Sequence, residues 1–412
     1  MKQEKEVIGI DLGNEYALIS YYKPGMETPE TVSMLPGSEN YLFPVELYRS
    51  SGEEEWLFGE QAAKAAKQGN GICYKHLPGK AYEDESIQFA AKKIDFVELL
   101  GIFLDRLIGM AVRAGVNRTE SVVSVTVKQL DFDKAGVLWK ALELAGIRQK
   151  QVRLLDYKES FFYFVRSQTQ DRWLHDVVLF LLEGKKLEEY YWKRNDRTFP
   201  QTVTIEQKDF DGLNHVANDT QKDLAFQEII DKEFQGKIIS TAYLVGTEFE
   251  SGWLEQSLIS LCRQRKAYVG KNLFTKGACF GGMEKNGPEK AMIYVGASAM
   301  KINLTMKIHI GGKFEEVSLI NAGDNCYESY CACDVLLDEE PYIDICKRNM
   351  QGKEEKISSL ELTGLPKRPR KATKVHMQLI PVSDTQVKIM IEDRGLGELF
   401  PSSGKKWEFL LF

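Results

Sequence analysis

The residues whose types could do chemistry begin in Ile8-Gly9-Ile10-Asp11-Leu12-Gly13, where a carboxylate sits two residues before a glycine turn. A tight turn lets backbone N–H groups approach phosphate oxygens, and an adjacent carboxylate can hold a metal-bound water. Two roles for Asp11 stay open at this level: a phosphate or metal role of that kind, or satisfaction of the amides of its own turn. Cys326, Cys331 and Cys333 form a Cys-x4-Cys-x-Cys run that invites a metal reading. The run alternates with strand-forming residues and has no matching histidine cluster, which favours thiols without a metal. His76, His175, His215, His309 and His376 show neither ligand spacing nor a partnered nucleophile and read as solvated or satisfied side chains.

The elements that must position these residues follow from periodicity. Residues 6–22 read as two apolar strands broken by a turn at Gly13 and Asn14, a hairpin that carries Asp11. Strands at 43–48 and 56–58 precede a long amphipathic helix over about 95–114. Phe96, Leu99, Leu100, Phe103, Leu107 and Met110 share one face, with Asp95 as N-cap and Gly115 as stop. A strand at 121–127, a helix at 131–144 and a strand at 152–155 give the β-α-β rhythm of an α/β layer. Phe161, Phe162, Tyr163 and Phe164 fit a helix packed beneath that sheet. A second hairpin begins at 177–182 and returns at 188–193, so the second half starts as the first did, which hints at an internal duplication. Residues 196–223 read as a strand plus loop, 224–234 as a helix and 241–245 as a strand. From about Ala291 short alternating runs replace helical periodicity and predict an all-β domain. The separator is Gly281-Gly282 or the turn Asn286-Gly287-Pro288.

A chain of 412 residues is expected to form two or three domains. Hydrophobic residues at 43% and charged residues at 28% match ordinary globular proteins and argue against disordered or fibrous classes. A net charge of -6 argues against a general nucleic-acid binder. The basic run Lys367, Arg368, Pro369, Arg370, Lys371 reads as a solvated loop. No signal-peptide core follows Met1, and no apolar stretch reaches the roughly 18 residues of a membrane span, so the expectation is a cytoplasmic protein with no membrane partner. Seven cysteines in such a chain are expected as reduced thiols.

The run Ile8 to Gly13 is similar to the first phosphate-binding hairpin of the superfamily that unites actin, sugar kinases and heat-shock chaperones. Tyr74-Lys75-His76-Leu77-Pro78-Gly79-Lys80-Ala81-Tyr82-Glu83-Asp84 resembles the chaperone segment that carries the catalytic lysine, with Lys75 as its counterpart. Ser124-Val125-Thr126-Val127, followed by Ala135, Ala141 and Leu144-Ala145-Gly146-Ile147, resembles the strand and helix that lead to the second phosphate hairpin. Leu360-Glu361-Leu362-Thr363-Gly364-Leu365-Pro366-Lys367-Arg368-Pro369-Arg370 resembles the substrate-domain signature, and the strands that follow, Asp393 and Ser403-Gly404-Lys405 fit it too. Over nearly its whole length the sequence therefore resembles the seventy-kilodalton heat-shock chaperone (DnaK-like) family, and it stops at Phe412, where that family continues into a helical lid.

The resemblance implies an α/β actin-like, ribonuclease-H-like, two-lobed nucleotide-binding domain over 1–285, with lobes of about 1–172 and 173–285. It implies an all-β, sandwich-like substrate-binding domain without a lid over 290–412. It further implies ATP or ADP with magnesium as cofactor, Asp11 and Lys75 as catalytic residues, and Asp11 holding the metal through water. Gly13, Asn14, Glu15, Gly184, Gly246 and Thr247 would surround the nucleotide. Tyr327 and Tyr330 fall near the family's substrate-enclosing loops and would suit an extended peptide; packing in the core or at a strand edge is their other reading.

The nucleotide motifs depart from the family pattern. In Leu179-Phe180-Leu181-Leu182-Glu183-Gly184-Lys185-Lys186, Leu181 holds the aspartate position and only Gly184 remains of the glycines. Asn14 and Glu15 replace a hydroxyl pair, and Leu244-Val245-Gly246-Thr247-Glu248 lacks a double glycine. A like charge facing a γ-phosphate at ~4 Å would cost roughly 4 kcal/mol. The expectation is thus a chaperone-like protein with a degraded ATPase that binds a peptide or partner protein. Glu183 or Glu159 is the stand-in carboxylate if any turnover survives. The alternatives are an active magnesium-dependent chaperone ATPase and an actin-like assembly scaffold without turnover.

Overall fold

Apolar, partly β-branched runs separated by a three-residue tip build the first hairpin: Val7–Leu12 (β1), buried along its whole length, pairs antiparallel with Tyr16–Tyr22 (β2). The computed structural model describes residues 5–35, 37–50, 55–69, 71–89, 92–195, 197, 201–211, 213, 216, 218–284, 292–338, 340–349 and 354–411. The short strand Glu30–Thr31 (β3) flanks β2, while Val122–Val127 (β4) and Val152–Asp156 (β5) continue the other side in parallel, giving the order β3-β2-β1-β4-β5. A second sheet repeats this plan. Asp176–Glu183 (β6) and Lys186–Asn195 (β7) form a hairpin and Gln201–Phe210 (β8) follows antiparallel. Ile239–Val245 (β9) and Lys266–Gly270 (β10) lie parallel beyond β6, so the order is β8-β7-β6-β9-β10, with Met292–Tyr294 (β11) added beside β8.

Five helices matter for positioning. The expected amphipathic helix is Phe96–Arg113 (α1), and Gly115, with a φ of 90°, follows its end. Phe132–Leu144 (α2) is capped by Asp131, whose side chain accepts from the Lys134 amide at 2.8 Å. Tyr157–Ser167 (α3) carries Phe161, Phe162 and Tyr163 into a core shared with Tyr190, Trp192 and Tyr243 of the second sheet. Burying each such side chain contributes roughly 1.5–3 kcal/mol. Asp219–Glu233 (α4) starts five residues before the expected helix because Asn218 accepts the Gln221 amide at 2.9 Å and caps it. Leu273–Glu284 (α5) has no counterpart in the sequence reading, and it packs on α3, β1 and β4.

That helix corrects the expected separator. Gly281 and Gly282 lie inside α5, where a β-carbon on Gly281 would sit 2.9 Å from Leu155 and Tyr163, and one on Gly282 2.5 Å from Val7. The glycines serve close helix packing rather than a linker, and Asn286-Gly287-Pro288 lies outside the described residues. The chain divides instead into Met1–Gly296 and Ala297–Phe412.

The second unit holds, among its described residues, strands and no helix. Ile302–Ile310 (β12), Lys313–Ile320 (β13), Cys331–Leu337 (β14), Tyr342–Asn349 (β15), Glu354–Glu361 (β16), Thr373–Pro381 (β17), Val387–Asp393 (β18) and Lys406–Leu411 (β19) form two antiparallel sheets, β13-β12-β15-β16 and β14-β17-β18-β19. Strict alternation along β17 and β18 sends Val375, Met377, Leu379, Val387, Ile389 and Ile391 into one core. The basic run is not a solvated loop throughout. Arg368, whose side chain is 5% exposed, grips the fully buried Asp393 with two bonds of 2.8 and 2.7 Å, and also donates to the Pro401 carbonyl. The rest of the run, Lys367, Pro369, Arg370 and Lys371, is exposed, with Arg370 paired to Asp338.

Among the described residues no helix is long and apolar enough to cross a membrane.

Candidate functional site

The first hairpin turn is closed by the Gly13 amide donating to the Tyr16 carbonyl at 3.0 Å. Asp11, at the end of β1, is 5% exposed, and its Oδ1 accepts from the Tyr157 phenol at 2.8 Å. Burial raises the Asp11 carboxyl to about 7; the Tyr157 hydrogen bond opposes that rise, and the charge of Glu183 adds to it. Tyr157 starts α3 and stacks on Phe274 of α5, ring centroids 3.8 Å apart. Its own hydroxyl is held well above its ordinary value by burial, then by the charges of Asp11 and Glu183. A neutral phenol therefore sits on the one carboxylate the sequence offered for a metal-bound water.

Asn14 and Glu15 have structural work. The Asn14 Oδ1 accepts the Gly79 amide at 3.0 Å, tying the hairpin tip to the short helix Leu77–Tyr82, and the Glu15 carbonyl accepts the Val45 amide at 2.8 Å. Lys75 does not meet Asp11. It ends the strand Gly71–Lys75, is 60% exposed, and pairs with Glu46 Oε2 at 3.3 Å, which raises the lysine. The sequence therefore named both catalytic candidates, and the structure brings a tyrosine, rather than the lysine, to the carboxylate.

The second hairpin tip is also filled from within. The Gly184 amide donates to Glu248 Oε1 at 2.7 Å, and the Thr247 hydroxyl lies 3.3 Å from Glu248 Oε2. Glu248 stands in the 3-10 turn Thr247–Ser251, entered through Gly246 at a φ of 127°; a β-carbon there would fall 2.1 Å from the Leu182 carbonyl oxygen. Trp253 Nε1 and the Ser251 hydroxyl both donate to the Glu248 carbonyl, fixing the turn. Leu181 is buried in the core of the second sheet.

Beside this tip lies a charge network that the sequence reading missed. Lys128 bridges Glu183 at 2.7 Å and the buried Glu188 at 3.0 Å, and Lys186 bridges Glu188 at 2.7 Å and Asp209 at 3.0 Å. Burial would raise Glu188, but the two lysines and the Tyr190 hydroxyl hold it below its ordinary value. Strand alternation on β7 would have placed Glu188 on the same face as Tyr190, and that was the available signal. The other stand-in, Glu159, is buried against Arg153 at 3.3 Å and Tyr163 at 3.4 Å, in a structural pair.

A model described as the C-terminal part of a family of unknown function, DUF5716, matches residues 28–297. The chain belongs to the DUF5716 family. A second model, a domain of unknown function termed DUF8552, matches residues 299–411, so in this DUF5716 member the two matches meet at the boundary between the compact units. No curated protein matches the chain.

Of the peptide candidates, Tyr327 packs against the core of the second unit while Tyr330 is 53% exposed; both precede β14 in a loop rather than in the strand expected there. Among the described residues no three His, Cys, Asp or Glu side chains gather as a metal site. A surface hollow of about 410 Å3, bordered by Trp56, Glu98, Ile102, Asp105 and Leu144, includes no residue of either hairpin. His215 lies outside the described residues; His376 Nδ1 lies 2.7 Å from Asp334 on the surface of β17.

Proposed function

We propose that this protein is a cytoplasmic, chaperone-like binding protein on an actin-like two-lobed frame, in which the nucleotide cleft has become a structural joint and the β-unit carries peptide or partner recognition. The observation that carries this reading is the double internal occupation: Tyr157 on Asp11 and Glu248 on the Gly184 amide. Phosphoryl transfer depends on free amides, a metal-bound water and cations aimed at the phosphates. Here the carboxylate is bonded to a phenol, the tip amide to a carboxylate, and Lys75 to Glu46.

The repeated strand order of the two sheets supports the actin-like frame, and the resemblance around Leu360 to Arg370 supports a substrate-type β-unit. Exposed Tyr330 offers an aromatic contact for an extended segment. None of the seven cysteines is joined in a disulfide, in keeping with a reducing compartment.

Calorimetry with magnesium-ATP on the full chain tests the reading, with Lys75→Ala and Asp11→Ala as controls. No heat at millimolar ATP, together with saturable binding of an unfolded model polypeptide, is the expected pair of results. Micromolar ATP binding lost in both variants would overturn it in favour of an ATP-gated chaperone. Absence of both ligands with a stable complex recovered from cells would favour the assembly scaffold.

A further inference from the structure

The Cys-x-Cys pair gains a third sulfur once the chain folds. Cys331 and Cys333 lie two residues apart on β14, so their side chains share a face, and both are half-buried against the core. Directly opposite Cys333 in the antiparallel ladder stands Met377 of β17, fully buried in the same core. Residues so paired present their side chains on one face with β-carbons roughly 5 Å apart. Strand register therefore places two thiols and a thioether on one face at the β14 edge of the β14-β17-β18-β19 sheet.

The surroundings select among ligands. Asp334, the residue after Cys333, is exposed on the opposite face, where it meets His376 and Lys374, so the nearest carboxylate and imidazole point away from the sulfurs. The remaining neighbours are apolar: Val335, Val375 and Leu379. A tetrahedral zinc site needs four nitrogen, oxygen or thiolate donors, which this face does not supply. Soft thiolate and thioether donors in low number suit a monovalent copper ion. β14 is an edge strand, paired on one side only, so an ion reaches the thiols without unfolding the sheet.

We propose that Cys331, Cys333 and Met377 form a three-sulfur binding site for Cu(I). Each bond to a cysteine sulfur forms as that thiol gives its proton to solvent, and no electron is transferred. Cys326, in the same core, is buried, with its thiol turned to the Ala297 carbonyl. The site had no signal in the cysteine spacing alone because its third donor lies 44 residues beyond Cys333 and is joined to it only by strand register.

The test is anaerobic titration of the full chain with Cu(I) against a coloured copper chelator, followed by copper X-ray absorption. One equivalent retained in an all-sulfur shell is expected. Cys331→Ser and Cys333→Ser should each abolish retention, and Cys262→Ser, at an exposed cysteine, should leave it unchanged. Met377→Leu, close in volume, should weaken retention at least about tenfold. Near-UV circular dichroism of the serine variants shows whether the β-unit still folds; if it does not, the absorption spectrum of the wild-type protein and the Met377→Leu titration decide. Failure of the wild-type chain to compete for copper, retention that survives loss of either cysteine, or nitrogen and oxygen scatterers in the shell would overturn the proposal.

Discussion

The β1–β2 and β6–β7 hairpins hold the same place in sheets of the same strand order, yet their tips solve opposite electrostatic problems. At the first, a buried carboxylate has a neutral hydroxyl for partner and, among the described residues, no cation paired with it, so its charge is disfavoured. At the second, a backbone amide receives a carboxylate, and the neighbouring Glu183 and Glu188 are matched by Lys128 and Lys186. A repeated backbone plan therefore need not repeat a chemistry. What a shared fold conserves is the position of the tip, and what each tip binds is set by the side chains brought to it from elsewhere.

The largest effect should come from the glycine that seats Glu248. Gly246→Ala forces a side chain into a left-handed φ of 127° with the Leu182 carbonyl oxygen 2.1 Å from its β-carbon. Strain of about 1–3 kcal/mol and overpacking of about 1–3 kcal/mol should together cost roughly 4 kcal/mol, read as a shift in urea midpoint at unchanged slope. A loss below about 1 kcal/mol would mean that β6 and β9 part easily at this end, and that Glu248 is not rigidly held.

Next is the first tip, whose signature is pH. Asp11 ionises near 7 in the folded chain against an ordinary 3.8, so between those values the native state keeps a proton that the unfolded chain has lost. Its contribution is thus most favourable below about pH 4 and declines as pH rises to about 7, by up to roughly 4 kcal/mol. Asp11→Asn, which still accepts from Tyr157, should match the wild type near pH 4 and exceed it in stability at pH 8. Parallel stability curves for the two proteins would show that a cation or water already compensates the charge, and would remove the contrast between the tips.

Much of this frame was legible in the sequence, and the reason is local periodicity. The helix over 96–113 and the strands at 122–127, 176–183 and 373–381 each carry an unbroken apolar pattern, and each forms within a residue or two of its expected span. Where the pattern is broken by small residues it misleads: α5, with three glycines, reads as a boundary because the close packing that needs those glycines is a tertiary fact. The contacts at the two tips were legible by halves. The turns that carry Asp11, Asn14, Gly184 and Gly246 are marked by their glycines, whereas the partners Tyr157 and Glu248 have no local signal, since 146 residues separate Asp11 from Tyr157 and 64 separate Gly184 from Glu248. For Lys75 a motif names a residue type and not its partner: the side chain is exposed and pairs with Glu46.

The smallest effects separate the two tip contacts themselves. Glu248→Gln keeps an acceptor but removes the charge that makes the bond to the Gly184 amide short at 2.7 Å. Asn14→Ala removes a neutral bond to the Gly79 amide altogether. A charge-assisted bond is worth about 1.5–3 kcal/mol and a neutral one about 1 kcal/mol. Keeping the geometry while losing the charge should therefore cost roughly 1 kcal/mol at position 248, and losing the neutral bond should cost about the same or slightly less at position 14. Salt distinguishes them: the Glu248→Gln deficit should shrink as ionic strength rises and screens the carboxylate of the wild type, while the Asn14→Ala deficit should not move. If both deficits ignore salt, the carboxylate at the second tip acts as a plain acceptor, and the electrostatic contrast between the hairpins rests on the Lys128 and Lys186 network alone.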